Sequence, residues 1–201
     1  TDEEGNGLFL WEKTEDVSVY AKWIFEEYNI VYLLNGGTND INNPMKVNIE
    51  NNISLYNPIK EGYMFLGWHI FNTQTNSYNT IPISYISSAY IESVLSDITL
   101  YAKWSANSYL VTLDVNEGEP LQTNTLELIY DCSDYSIDAI PIRTGYTFIG
   151  WFDGNGIQYT DDIGECLQIW DKADNSTLFA HWEIIEYSIS YNLNDEINNE
   201  N

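Results

Sequence analysis

The sequence predicts a tandem array of small domains, α+β to mainly β, each built on a mostly antiparallel sheet. Three observations carry this expectation. A closing phrase occurs three times, at Val17–Trp23, Ile98–Trp104 and Ser176–Trp182, with its last tryptophans 81 and 78 residues apart. A second phrase, Gly62-Tyr-Met-Phe-Leu-Gly-Trp68, recurs as Gly145-Tyr-Thr-Phe-Ile-Gly-Trp151. Between these landmarks apolar residues alternate with polar ones at a period of two, as in a sheet with one buried face. Self-similarity at a fixed spacing is the mark of a repeat architecture.

In chain order, residues 1–23 read as the C-terminal part of a preceding repeat, closing on Trp23. Residues 28–104 form the first complete unit and 109–182 the second, while 187–201 open a further one with its first strand. Each unit begins on a strand, Tyr28–Leu34 or Tyr109–Val115; in the latter Tyr109, Val111, Leu113 and Val115 share a face opposite Thr112 and Asp114. Tyr187, Ile189, Tyr191 and Leu193 alternate in the same way. Asn35-Gly36-Gly37 ends the first strand in a turn, because Asn and Gly reach positive φ at low steric cost. The second unit has Asn116-Glu117-Gly118 there, leaving one glycine for that task.

Met45–Ile49 and Thr125–Tyr130 follow as returning strands, and Pro58 and Pro141 mark turns into the Gly-Tyr strands. Ile86, Ala89, Tyr90 and Val94 recur at spacings of three and four, which predicts a helix within Ser84–Ser96. The counterpart, Asp161–Asn175, is a weaker helix because it contains Gly164. In the closing strand Ile98, Leu100, Ala102 and Trp104 face inward, with Thr99, Tyr101 and Lys103 outward. The connectors 24–27, 105–108 and 183–186 are four residues each and lack Gly and Pro, so the units should join stiffly.

Units of 75–80 residues bury only a modest core, and large rings are then valuable. The chain has 16 Tyr and 7 Trp, which sets it apart from a disordered polyanion despite 31 acidic residues against 7 basic ones. A formal charge of −24 argues against nucleic acid, since few cations are available to displace phosphate counterions. It also disfavours an anionic membrane surface. Two readings of the charge stand: solubility with mutual repulsion along a rod, and dispersed cation binding. No run of about 18 apolar residues is present to span a bilayer, and the first residues have neither a basic start nor an apolar stretch. Because it starts and stops within a repeat, the chain reads as a window cut from a longer protein. Cys132 and Cys166 both fall in the second unit, either as a private disulfide or as two buried free thiols.

The aromatic residues common to both units are the expected core motif: Tyr63, Phe65, Trp68 and Trp104, then Tyr146, Phe148, Trp151 and Trp182. A sugar-stacking role is the alternative for Tyr63 with Trp68 and for Tyr146 with Trp151. Tyr20, Tyr101 and Phe179 share the outer face with Lys22, Lys103 and His181, whose charges keep an exposed strand soluble. Acidic groups at Asp131, Asp134 and Asp138, at Asp161, Asp162 and Glu165, and at Asp171 and Asp174 invite a calcium reading. They lack EF-hand spacing and do not repeat between units, which favours solvated loop charge. His69 and His181 share no motif, and no nucleophile elbow, zinc signature or phosphate loop is present. No catalytic residue, cofactor site or metal site is assigned. Asn52-Ile-Ser and Asn175-Ser-Thr match a glycosylation sequon at the level chance gives in so Asn-rich a chain.

The combination of the Asn-Gly-Gly turn, Pro-x-Lys-x-Gly-Tyr-x-Phe-x-Gly-Trp and Thr-Leu-Tyr-Ala-Lys-Trp resembles the Listeria–Bacteroides repeat, the B repeat of Listeria internalins. Asn35, Gly36, Gly37, Pro58, Lys60, Gly62, Tyr63, Phe65, Gly67, Trp68 and Leu100–Trp104 carry it in the first unit. Pro141, Arg143, Gly145, Tyr146, Phe148, Gly150, Trp151 and Leu178–Trp182 carry it in the second, with departures at Glu117, Arg143 and His181. The resemblance implies β-grasp-like, ubiquitin-like modules in an elongated array on bacterial surface proteins, serving adhesion, spacing and partner binding rather than catalysis. The expected protein is therefore a non-enzymatic extracellular or cell-surface segment, a semi-rigid spacer or adhesion stalk. Its expected partners are neighbouring repeats of the same protein. Two alternatives remain: a filament or surface-layer subunit assembled by strand addition between half-repeats, and an adhesin that binds a protein, a glycan or calcium.

Overall fold

The computed structural model describes residues 6–7, 12–72 and 75–191 and is mostly β with one short helix. Strands β1 (Tyr28–Leu33), β2 (Lys46–Val47), β4 (Tyr63–Asn72), β5 (Ser77–Tyr78) and β7 (Ile98–Ala106) make one sheet in the order β2-β1-β7-β4-β5. A short pair, β3 (Ile53–Ser54) with β6 (Tyr85–Ile86), and helix α1 (Ser88–Val94) accompany it. Strands β8 (Ser108–Asp114), β9 (Thr125–Ile129), β10 (Tyr146–Phe152) and β11 (Ser176–Ile184) make a second sheet in the order β10-β11-β8-β9. In both sheets the closing strand lies at the centre. It is parallel to the opening strand (Ile30 beside Ile98, Val111 beside Ser176) and antiparallel to the Gly-Tyr strand.

The period-two pattern explains which faces are buried. Ile98, Leu100 and Ala102 of β7, with Val111 and Leu113 of β8, point inward, while Lys103 and Asp114 are exposed. Each sheet covers its own apolar cluster. The first gathers Ile30, Trp68, Ile86, Ile91, Leu100 and neighbours; the second gathers Val111, Ile137, Trp151, Tyr159, Trp170 and Leu178 with theirs. Each cluster holds a fully buried tryptophan, Trp68 or Trp151, whose indole N–H donates to a loop carbonyl, Tyr56 at 3.1 Å or Ala139 at 3.2 Å. That hydrogen bond offsets the cost of burying the indole's one polar atom, an offset that, among the described residues, the equally buried Trp170 of the second cluster lacks.

The turn after the opening strand works differently from the sequence expectation. Asn35 and Gly36 take positive φ in the first sheet, and Asn116 and Glu117 do so in the second (45° and 68°). Gly118 is not the residue in that conformation. A Cβ on Gly118 would stand 2.7 Å from the Trp182 ring, and one on Gly37 would stand 2.6 Å from Trp104. The retained glycine clears the closing tryptophan, whose indole N–H caps the turn at Leu34 O (2.9 Å) or at Val115 O and Asn116 O (3.2 and 3.0 Å). Glu117 holds a left-handed conformation that costs a non-glycine residue about 1–2 kcal/mol, and its carboxylate pairs with Arg143.

Three other expectations are revised. The helix is shorter than Ser84–Ser96, because Tyr85–Ile86 pair as a strand first and Ser87 caps the helix by accepting from Tyr90 N at 3.1 Å. Residues 161–175 form no helix. Gly164 has φ 90°, Asp161 accepts the N–H groups of Ile163 and Glu165, and Trp170 is fully buried in the second cluster. Residues 12–27 and 187–191 form no strand. Tyr20, Trp23, Tyr187 and Tyr191 are each about four-fifths exposed or more. Lacking a parallel and an antiparallel neighbour, the phrase at 17–23 has no ladder to join. Of the strand expected at 187–201, residues 192–201, including Leu193, lie outside the described residues.

The loop that replaces the second helix is fastened by charge. Lys172 Nζ lies 2.8 Å from the buried Asp153 carboxylate, which also accepts the N–H groups of Asn155 and Ile157 at 2.9 Å. Tyr159 donates to Asp171 at 2.5 Å. Burial alone would raise the Asp153 pKa, but the Lys172 ammonium and the two backbone donors outweigh it and hold the carboxyl below its ordinary value. A lowered folded pKa stabilises above the unfolded carboxylate value and is lost as pH falls through the folded one. Asp153→Asn is therefore expected to cost roughly 2–3 kcal/mol at neutral pH, with the gap from the parent closing as pH falls from about 5 toward 2; melts across that range check it. Gly118→Ala is expected to cost roughly 1–3 kcal/mol by crowding Trp182, read as a loss of denaturant stability.

Candidate functional site

The structure divides the shared aromatic residues into two groups. Trp68 and Trp151 are wholly enclosed, Phe148 is buried, and Phe65, Trp104 and Trp182 pack half-buried against the same clusters. Phe65 meets Trp68 and Trp104 edge-on at 5.3 and 5.2 Å, and Phe148 meets Trp151 and Trp182 at 5.4 and 5.7 Å. Neither Trp68 nor Trp151 offers a face to a sugar. Tyr63 and Tyr146 are the exceptions to the expected core role. They open their strands at the end of the sheet and are not packed with either cluster.

Tyr63 belongs instead to the joint between the sheets. The expected four-residue connector 105–108 is absorbed into strands, so β7 and β8 are separated by Asn107 alone. Asn107 N donates to Gly62 O, and Tyr130 N donates to Asn107 O, both at 2.9 Å. Tyr63 meets Tyr130 edge-on at 5.6 Å, and its hydroxyl donates to Asp131 at 2.5 Å. That hydrogen bond, with some loss of hydration, pushes the Tyr63 phenol up to about 12. Lys60 Nζ sits 3.8 Å over the Tyr63 ring. Gly62 is required here by contact, since any side chain would enter the Tyr130 ring. The sequence alone gave no sign of this partnership, because Tyr130 and Asp131 have no aromatic-acidic counterpart in the first unit.

A groove of about 910 Å³ opens beside β4, β5 and the start of β7, between that edge of the first sheet and helix α1. Phe71, Tyr78, Tyr90 and Tyr101 line it with Asn79 and Thr99. Tyr78 meets Phe71 and Tyr101 edge-on at 5.1 and 4.9 Å. The sequence placed Tyr101 on the outer face but did not connect it to Tyr78, which lies on the short edge strand β5. On the second sheet the outer face differs: His181 stacks on Phe152 at 3.9 Å. His69 is buried, with Nδ1 2.9 Å from Asn79 O. A carbonyl only accepts, so Nδ1 carries the proton.

The acidic clusters are largely engaged within the protein. Asp131 accepts from Tyr63, Asp138 from Ser136, Asp161 from loop N–H groups, and Asp171 from Tyr159. Among the described residues no three His, Cys, Asp or Glu side chains come together as a metal site. Cys132 and Cys166 are free thiols, their Sγ atoms directed at the carbonyls of Asp134 and Ser133 at 3.3 and 3.2 Å. Asn52 and Asn175, the sequon asparagines, accept backbone N–H groups from Ser88 and Leu110.

Comparison with known proteins matches the sequence to a family. The chain is 30% identical over 190 residues to a protein of Evansella cellulosilytica named as a membrane protein, covering 90% of this chain and 25% of that one. A Gly-rich membrane protein of the same organism is 29% identical over 186 residues, covering 90% and 19%. Internalin H of Listeria monocytogenes is 30% identical over 127 residues, covering 62% and 20%. The chain thus spans a quarter or less of the length of these curated relatives. Among the described residues no helix is long and apolar enough to cross a membrane. The family model of the Listeria-Bacteroides repeat domain matches residues 28–103 and again 109–181, a span that takes in each sheet from opening to closing strand. The chain belongs to the Listeria-Bacteroides repeat family and carries two successive copies of its domain.

Proposed function

We propose that the chain is a non-enzymatic stretch of a bacterial cell-surface protein, acting as a semi-rigid spacer. Internalin H and the two Evansella relatives named as membrane proteins support the surface location. The units 28–104 and 109–182 are β-grasp-like modules in this reading. A sheet ordered second, first, last, third, with a parallel central pair, supports that assignment. Residues 1–23 and 187–201 belong to adjoining repeats.

The observation that carries the spacer role is the joint. One residue between two strands leaves little slack, and the edge-on tyrosine pair with its charge-assisted hydrogen bond fixes the remaining rotation. Each module then adds a set length and direction, which holds whatever lies beyond it away from the envelope. Small-angle scattering on the full chain should return a radius of gyration clearly above the about 16–17 Å of a compact chain of this length. Tyr63→Ala should broaden the distance distribution while leaving both sheets folded. A compact particle, with the units folded back on each other, would overturn the spacer.

The groove beside β5 and α1 favours a second reading, an adhesin for neutral sugar. Rings with hydroxyl and amide neighbours suit a saccharide, and the charge of −24 disfavours an anionic one. Titration against a neutral glycan array should give binding that Tyr101→Ala reduces at least tenfold while the first sheet stays folded. Flat titrations across the array would remove this reading and leave the spacer in place.

A further inference from the structure

The joint has a second, unmatched half. Around Tyr146 the second repeat reproduces the cradle that surrounds Tyr63. Tyr63 N donates to Lys60 O at 3.1 Å, and Tyr146 N donates to Arg143 O at 3.1 Å. Lys60 Nζ lies 3.8 Å over one ring, and the Arg143 guanidinium lies 3.9 Å over the other. Asn107 N donates to Gly62 O at 2.9 Å, and Ile185 N donates to Gly145 O at 2.9 Å. The cradle forms in both repeats, including the one with arginine in place of lysine, so it does not need an occupant to take shape.

What differs is the visitor. Gly62 is buried beneath the Tyr130 ring, whereas among the described residues no atom lies within 4 Å of the place a Gly145 Cβ would take. The Tyr63 hydroxyl donates to Asp131, and no described residue accepts from the Tyr146 hydroxyl. A flat ring is what fits against a glycine, and a carboxylate is what accepts from a phenol held under a cation. We infer that Arg143, Gly145 and Tyr146 form a preformed docking site for the opening hairpin of a repeat following in tandem, one that presents an aromatic residue and then an acid where Tyr130 and Asp131 stand.

The register also says what fits less well. Tyr28 pairs with Val47 as Tyr109 pairs with Leu128, so Ile49 and Glu50 occupy the places of Tyr130 and Asp131 in the first repeat. Ile49 is no flat ring, and Asp131 sits at φ 61° where Glu50 has no positive φ. The head of a second copy of this chain is thus a poor occupant, and tandem continuation is favoured over self-assembly.

The inference rests on reading the chain as a stretch of tandem repeats. It is tested on a chain running from residue 1 to 186 and continuing into a second copy of residues 109–186. The amide resonances of Gly145 and Tyr146 should shift relative to the parent, and the added repeat should melt together with the one before it. Tyr130→Ala in the added copy alone should restore the parent shifts and split the melt. Unshifted resonances beside a folded added repeat would overturn the docking site, and so would an added copy that stays unfolded next to an intact cradle. An elongated particle with unshifted resonances would sink the docking site and leave the spacer. A folded-back particle with shifted resonances would do the reverse.

Discussion

The parallel pairing of the opening and closing strands is the constraint on which the rest of each repeat depends. Two parallel strands cannot be joined by a tight turn, so everything between them must act as one long crossover. The returning strand, the Gly-Tyr strand and the loop or helix all lie within that crossover. The closing strand, arriving last, takes the central place, with β1 on one side and β4 on the other, or β8 and β10 in the second copy. A repeat is complete only when that slot is filled, and the chain then leaves the sheet from its middle. This is why β7 runs into β8 with Asn107 alone between them.

The tryptophans follow from the same constraint. A module of this size has little interior, and the central strand has to be held at both ends. Trp104 and Trp182 anchor one end by packing against Phe65 or Phe148 while their indole N–H groups cap the turn of the opening strand. Trp68 and Trp151 fill the interior beneath it. The turn glycine closest to the tryptophan is retained in both copies, whereas the preceding one, needed only for φ, is replaced by Glu117. Contact with the ring is thus the stricter of the two demands on that turn.

Much of the fold was legible because it is periodic. The alternation in β7, β8 and β11 predicted which residues face inward, and the repeat spacing predicted which strands correspond. What the sequence did not reveal depends on partners distant in the chain. Tyr63 looked like core by its company in Gly-Tyr-x-Phe-x-Gly-Trp, yet its neighbours are Tyr130 and Asp131 in the next repeat. The segment 161–175 carried some helical spacing, but Gly164, the buried Trp170 and the Asp153–Lys172 pair impose a looped path. The phrase at 17–23 had every strand-forming residue and no strand, because propensity without a neighbouring ladder does not make a sheet. Tyr78 and Tyr101, 23 positions apart, meet at the groove for a reason no local pattern carries.

The central position of the closing strand has a mechanical consequence. The chain enters a repeat at one end of the opening strand and leaves at the opposite end of its parallel neighbour. A pull along the chain therefore slides the two strands past each other, loading their hydrogen bonds together instead of unzipping them one at a time. Traction from a neighbouring repeat enters through Asn107 onto the start of β8 and leaves through the end of β11. The ladder that completes the fold is then also the element that resists stretching.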